Sequence, residues 1–418
     1  MSANSGSEPA YRWVIVAASA AMLAIAMGVM VNGFSVFVVP LTTEFGWQRG
    51  SISLINVAGL IGLAVGGIVM GWIADRTTTR QICLFGSLVF GLCILAASRA
   101  ETLWQFYALF FIAGSLGAGG LYVAIIANVG KWFKSGAGLA LGIASAGQAL
   151  GQGGVPFVTA IMISSSGWRS TFATMGMIAL ATLIPLAVLV RESPLATQAG
   201  GSSVSASDDE SPVPLPPHVV TTWLSVAVIF CCTCMSVPLM HLVPLLQDCG
   251  FSPEQAGSVL FIITGVAIVG RIAFGKLADM IGALPAYMIA SLWQTVSVFG
   301  FTLFTELNSF YIFAAIYGFG YAGVMTGILV CARDLTPLSK RASALGIISV
   351  FAFLGHGVGG YQGGLFFDLT GGYSVSYANA AISGIINLLI VGSLYITISR
   401  KRVLAANSGA RPEADLAI

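Results

Sequence analysis

Long apolar runs of about twenty residues, rich in glycine, follow one another along almost the whole chain, with short polar segments between them. A helix of that length crosses the roughly 30 Å of hydrocarbon in a bilayer, whereas barrel strands would give shorter segments of alternating polarity. The pattern therefore predicts an all-α membrane protein with twelve transmembrane helices. The predicted helices are 12–40, 51–74, 81–99, 103–128, 137–163, 168–190, 219–243, 255–278, 284–305, 309–331, 341–366 and 373–399. An even number of spans places both termini on one side.

A polar segment separates the sixth and seventh runs. Residues 192–217 are rich in Ser, Gly and Pro and contain the acidic run Asp208-Asp209-Glu210, a composition typical of flexible linkers. We therefore predict an N-terminal six-helix bundle over 1–191, a linker over 192–217, and a C-terminal six-helix bundle with a short polar tail over 218–418.

The two halves repeat each other at a constant offset of 204 residues. The matching positions include Val39-Pro40-Leu41 with Val243-Pro244-Leu245, Leu141-Gly142-Ile143 with Leu345-Gly346-Ile347, and Gly151 and Gly153 with Gly355 and Gly357. Six helices separate each pair, so the copies share one orientation and form a parallel repeat. Substrate sites in such folds lie between the halves, which favours alternating access by rocking of one half against the other.

Charge is scarce and unevenly placed. Only 8% of the 418 residues are charged and 57% are hydrophobic, against roughly 25% charged in a soluble domain. Fourteen of the eighteen basic residues fall on the side of the termini and three (Arg49, Arg99 and Arg169) on the other. Because Lys and Arg accumulate in cytoplasmic loops, we expect cytoplasmic termini, linker and tail in a plasma (inner) membrane protein. The segment before the first run is polar and lacks a basic region, so no cleaved signal is expected.

Arg271 is the one basic residue that this topology leaves inside the membrane. Every acidic residue falls in a loop, a tail or a helix end. A charge near the bilayer centre costs roughly 2.5 to 3.5 kcal/mol on insertion scales and needs a partner in a wet cavity. A guanidinium binds a carboxylate in a bidentate manner, and the repeat has Gly67 at the equivalent position. We therefore predict an anion site at Arg271; the simpler alternative is a side chain that extends to the membrane surface.

Several other polar residues in mid-helix are candidates for the pocket, namely Asn32, Tyr122 and Tyr321, with Ser236 and Thr326 as weaker ones. Packing between helices is the alternative role for each of them. His356 is the counterpart, in the second half, of Gln152 in the first. A neutral hydrogen bond between helices would explain both residues; alternatively, a titrating His356 would carry a proton during transport.

Enzyme chemistry has little support in this sequence. The glycine-rich segments lack the strand and the Lys-Ser/Thr of a phosphate loop, and no nucleophile triad or metal constellation is present. The Cys231, Cys232 and Cys234 cluster is better explained by core packing than by a soft metal. We therefore predict a protein that is not an enzyme and uses neither metal nor cofactor.

These residues resemble those of the major facilitator superfamily over essentially the whole membrane portion. The specific part is a loop motif after the second helix of each half, in which Thr78 stands where a glycine is usual and Met280 replaces the basic residue. The motif residues are Gly71, Asp75, Arg76 and Arg80 in the first half and Gly275, Asp279 and Gly282 in the second. The resemblance implies a conformational latch that holds one access state.

The segment from Arg271 to Asp279 is similar to that of monocarboxylate porters and oxalate/formate exchangers. In that group the arginine binds the substrate carboxylate, and Tyr122 and Tyr321 lie where relatives have pocket aromatics. Animal members carry an acid one turn before the arginine and a lysine on helix 1, where this chain has Ala267 and Asn32. The oxalate exchanger has a second basic residue on helix 11, which this chain lacks.

Together, these features predict a secondary transporter of a small organic anion, a monocarboxylate before a dicarboxylate. Proton symport is favoured over exchange with a counter-anion. A drug exporter is a weaker alternative because it would need an intramembrane acid, and so is an anion sensor, which would usually add a soluble output segment. The expected partners are the anion, a proton or counter-anion, and membrane lipid, without nucleic acid, and we expect a monomer.

Overall fold

The computed structural model describes residues 10–74, 76–133, 137–193 and 212–407, and these are almost entirely helical. In chain order the helices are α1 (Tyr11–Phe45), α2 (Arg49–Ala74), α3 (Thr79–Ala97), α4 (Leu103–Lys131), α5 and α6 (together Ala137–Leu189), α7 (Pro217–Asp248), α8 (Pro253–Ile281), α9 (Ala283–Thr302), α10 (Leu307–Leu335), α11 (Leu338–Thr370) and α12 (Ser374–Asn407). Most of the predicted linker lies outside the described residues, and α7 begins at Pro217.

The region Ala137–Leu189 contains two spans. It would be about 80 Å long as one helix at 1.5 Å per residue, far more than the roughly 30 Å of hydrocarbon. Gly167 breaks it with φ 76° and ψ 163°, a backbone conformation that glycine adopts without steric cost. Counted as 137–166 and 168–189, these two spans and the ten other helices confirm the prediction of twelve transmembrane helices.

Helix starts follow from short local motifs. α3, α4 and α8 each begin after a Ser or Thr whose side chain accepts from the backbone N–H three residues on, where a Gln side chain bonds back to the cap. This reciprocal capping satisfies two backbone donors that a helix start leaves unpaired. The Thr-x-x-Gln and Ser-x-x-Gln spacing therefore fixes where these helices begin.

The two six-helix bundles have the same internal packing. In the first, α1 packs on α5 and α2 on α4; in the second, α7 packs on α11 and α8 on α10. The repeat glycines allow this close contact, since a Cβ on Gly151 would lie 1.9 Å from the Ala24 carbonyl oxygen and one on Gly355 would lie 2.3 Å from that of Ile229. Each repeat therefore folds into the same bundle, as the offset of 204 residues predicts.

The bundles meet through α2 against α11 and α5 against α8. These contacts run from mid-helix to the side opposite the termini, which we call the far side; the other is the terminus side. A Cβ on Gly357 would lie 3.2 Å from Val57, and the rings of Phe157 and Phe261 stack at 5.7 Å. In the described ranges α4 and α10 make no comparable contact on the terminus side. The structure is therefore closed on the far side.

Candidate substrate site

Arg271 lies deep within α8. It follows the start of that helix by eighteen residues and precedes its end by ten, which correspond to about 27 Å and about 15 Å along the axis. The side chain is half-buried, and its buried Nε has no hydrogen-bond partner in the described part of the chain. This depth agrees with the sequence prediction that Arg271 lies inside the membrane.

Two tyrosines flank Arg271, one from each bundle. Tyr122 comes from α4, is half-buried, and interacts electrostatically with the guanidinium. Tyr321 comes from α10, is 3% exposed, and interacts with the same group; its ring lies parallel to that of Tyr317 at 6.2 Å. The structure thus brings together three of the predicted site residues at the boundary between the bundles.

Arg271 has no acidic partner among the described residues. The ion pairs seen there join Arg49 to Asp248, Arg169 to Glu44, and Arg333 to its neighbour. A half-buried guanidinium with an unpaired nitrogen is costly unless an anion satisfies it. An anion bound at Arg271 would satisfy this group.

Asn32 lies in the interior of the first bundle. Its Nδ2 donates to the Gln152 carbonyl oxygen at 3.0 Å, and the residue is fully buried. It is the last residue of a π-helical segment over Gly28–Asn32 and precedes a 3₁₀ segment over Gly33–Phe37. The structure assigns Asn32 a packing contact between α1 and α5, and its substrate role remains a prediction.

His356 is buried in α11, and its Nε2 has no hydrogen-bond partner in the described ranges. It lies between Gly355, which packs on α7, and Gly357, which packs on α2 of the other bundle. His356 is thus next in sequence to a glycine of the contact between the bundles. Its role as a proton carrier remains a prediction.

The latch residues are only partly described. Asp75 lies outside the described residues, and of Gly71 only the helical backbone is described. Arg76, Arg80 and Asp279 are exposed, while Gly275 is half-buried. Thr78, the departure from the usual glycine, caps α3. The latch function stays a prediction.

Arg271 lines neither of two cavities found in the described structure. One, of about 190 Å³, is lined mostly by apolar residues of α1, α5 and α6, and the other, of about 100 Å³, lies between α2 and α11. Within the described residues, no three His, Cys, Asp or Glu side chains form a group that could hold a metal.

Sequence reasoning missed a second polar cluster, on the far side. The sequence predicts Arg49 only as a basic residue on the side opposite the termini, but it is 7% exposed and paired with Asp248 of the other bundle. The signal available in the sequence was the repeat, because Asp248 is the counterpart of Glu44 while the counterpart of Arg169 is Tyr373. The acid is retained at this position, whereas the base is not.

Comparison with known proteins gives the family. The sequence profile of the Major Facilitator Superfamily matches residues 18–307 and 222–417. The chain is 24% identical over 412 residues to monocarboxylate transporter 13 of Rattus norvegicus, covering 97% of this chain and 93% of the relative. It is 25% identical over 401 residues to an uncharacterized MFS-type transporter, YcxA, of Bacillus subtilis, covering 92% and 96%.

Solved structures agree on the fold. The D-xylose-proton symporter superposes with a TM-score of 0.74 at 17% identity, covering 91% of this chain and 97% of that one. A bacterial homolog of the human lysosomal transporter Spinster, in an inward-facing and unoccupied conformation, gives 0.72 at 15% identity, covering 94% and 98%. Because the profile spans nearly all the helices and the two bundles have the matching architecture, the chain belongs to the major facilitator superfamily of transporters, which are not enzymes.

Proposed function

We propose that this protein transports a small organic monoanion, a monocarboxylate, and that Arg271 binds the carboxylate. The observation that carries the proposal is a half-buried guanidinium, without an acidic partner in the described residues, flanked by a tyrosine from each bundle. The planar guanidinium matches a carboxylate with two parallel hydrogen bonds. The phenol hydroxyls of Tyr122 and Tyr321 would donate to the same anion.

A single cation favours a single negative charge on the substrate. No Lys or Arg occurs between Arg341 and Arg400, so α11 offers a dianion no second Lys or Arg beyond its first turn. A buried anionic group without a partner carries a large desolvation cost. The similarity to a relative named monocarboxylate transporter 13 supports the same substrate class.

The proposed mechanism is alternating access. The bundles are in contact on the far side, and Arg271 lies about 15 Å from the terminus-side end of α8, so the anion would reach it from the terminus side in this state. Rocking of the bundles would then expose the same site to the far side. Proton symport is the favoured coupling, with His356 as the carrier, and anion exchange is the alternative.

Uptake into proteoliposomes tests the proposal. We expect labelled monocarboxylates to accumulate against empty-liposome controls, and dicarboxylates of similar size to be taken up more slowly. A pH gradient alone, without internal anion, should drive uptake under symport; under exchange, uptake should require internal anion. Absence of organic-anion uptake, or a preference for dicarboxylates, would overturn the proposal. Thermal-shift measurements across a panel of acids would identify the substrate, because a ligand stabilises the state that binds it.

A further inference from the structure

The closed far side is held by a cluster of polar contacts that cross from one bundle to the other. Arg49, at the start of α2, places both terminal nitrogens on the carboxylate of Asp248, at 2.6 Å each. It also donates to the Tyr373 hydroxyl at 2.9 Å, and its guanidinium lies 3.8 Å from the ring centroid of Phe367. All three partners belong to the second bundle.

A second carboxylate completes the cluster. Asp368, at the end of α11, accepts the backbone N–H of Arg49 at 2.9 Å and that of Gly50 at 2.7 Å. These are among the first N–H groups of α2, which have no partner within their own helix. The start of a helix in one bundle is therefore capped by an acid of the other.

Burial makes this pairing stronger than an ordinary surface ion pair. The Arg49 side chain is 8% exposed and that of Asp248 is 35% exposed, and bidentate Arg–carboxylate pairs are the strong class of such bonds. Exposed pairs contribute little because water screens them. Separation of the bundles would break the ion pair and the helix cap together.

The repeat shows that this cross-bundle pairing is a departure from the shared scaffold. Glu44, the counterpart of Asp248, pairs at 2.9 Å with Arg169 of its own bundle. The counterpart of Arg169 is Tyr373, which carries no positive charge, and the counterpart of Arg49 is Pro253. Asp248 thus lacks a cation in its own bundle at this position and is paired with one from the other.

We propose that Arg49 holds the far-side entrance closed, and that release of Arg49 from Asp248 and of the α2 start from Asp368 opens this entrance during the transport cycle. Arg49 is a positioning residue in this role, since it does not touch the Arg271 site. The inference does not depend on the substrate, so its test needs none.

A buried residue in the contact between the bundles reports the opening. Thr264, on α8, is 4% exposed. It packs against Gly153 of α5, where a Cβ added to Gly153 would lie 1.7 Å from the Thr264 Oγ1. A thiol introduced by Thr264→Cys becomes reachable from the far side only when the bundles part. Cys249 is the one exposed native cysteine, and the other six are buried, so the background carries Cys249→Ser.

The measurement is the labelling rate of that thiol by a membrane-impermeant maleimide applied to the far side of proteoliposomes. The far side is identified by labelling of Cys249 in the native protein. Arg49→Gln should raise the rate about tenfold or more, a change expected from removal of a desolvated charge partner. The matched control is Arg169→Gln, which breaks an ion pair at the same surface within one bundle and should leave the rate unchanged.

A charge exchange separates gating from misfolding. Arg49→Asp combined with Asp248→Arg restores the ion pair in reverse and should return the labelling rate toward that of the native pair. If Arg49→Gln does not fold, Asp248→Asn alone should raise the labelling rate. Equal rates for Arg49→Gln, Asp248→Asn and the native pair would overturn the proposal. An equal rise in the Arg169→Gln control would overturn it too.

Discussion

Replacement of Arg271 by Gln gives the most direct measure of the proposed anion site. A carboxylate about 4 Å from a guanidinium gains about 4 kcal/mol at an effective dielectric constant of about 20. Because Arg271 is half-buried, water screens part of this interaction, and about 2 to 3 kcal/mol should remain. At about 1.4 kcal/mol per tenfold change in affinity, Arg271→Gln should weaken substrate binding about 30- to 150-fold.

Calorimetric titration of purified protein with the best substrate of the acid panel provides the assay. Arg271→Lys keeps the charge but not the planar fork, so its Kd should fall between those of the native protein and Arg271→Gln. Lys276→Gln is the matched control, because Lys276 is an exposed base on the same helix and its loss should leave the Kd unchanged. A native Kd for Arg271→Gln, or an equal loss in the Lys276→Gln control, would refute the reasoning.

Three further predictions follow from the geometry. His356→Gln, which installs the residue of the repeat, should abolish uptake driven by a pH gradient and spare anion exchange; intact gradient-driven uptake would remove His356 as the proton carrier. Partial removal of the Cys249 thiol from water and the charge of Asp248 raise its pKa, so maleimide labelling there should keep rising above the ordinary thiol pKa of about 8.5. Asp248→Asn should move that labelling profile to lower pH, and an unshifted profile would contradict this. Gly66→Ala should lower the free energy of unfolding by about 1 to 3 kcal/mol, because the added Cβ would lie 2.0 Å from the Ser115 carbonyl oxygen. A lower thermal midpoint would show this loss. Gly154→Ala is the control, since a Cβ there meets nothing within 4 Å.

Much of the fold follows from the sequence because each helix must satisfy its own backbone in lipid. The apolar runs gave the number of helices, and the offset of 204 residues gave the relation between the bundles. The predicted helix ends differ from the observed ones, since α1 extends to Phe45 and α12 to Asn407, beyond the predicted 40 and 399. Apolar periodicity weakens at membrane surfaces, where polar residues continue a helix.

The position of Arg271 was predictable because depth along a helix depends only on counting residues. The face of α1 on which Asn32 lies was not, because Asn32 ends a π-helical segment over Gly28–Asn32. An extra residue in a turn rotates everything that follows by about 100° about the axis, so the spacing of a regular helix does not give this face.

The Arg49 cluster illustrates a different limit. The partners of Arg49 depend on how the two bundles pack against each other. That packing is set by side-chain contacts between bundles, which cannot be derived from the sequence of any single helix. The repeat contained a partial signal, since Tyr373 in place of an arginine left Asp248 without a base.

The capping of α2 by Asp368 has a consequence for how an anion would approach the open carrier. When the bundles part, Asp248 and Asp368 stay with one wall of the entrance, while Arg49 and the uncapped start of α2 stay with the other. A helix start and a guanidinium both attract anions. The mouth would then be electrically polarised across its width, and an incoming carboxylate would be drawn along the first bundle and repelled by the second.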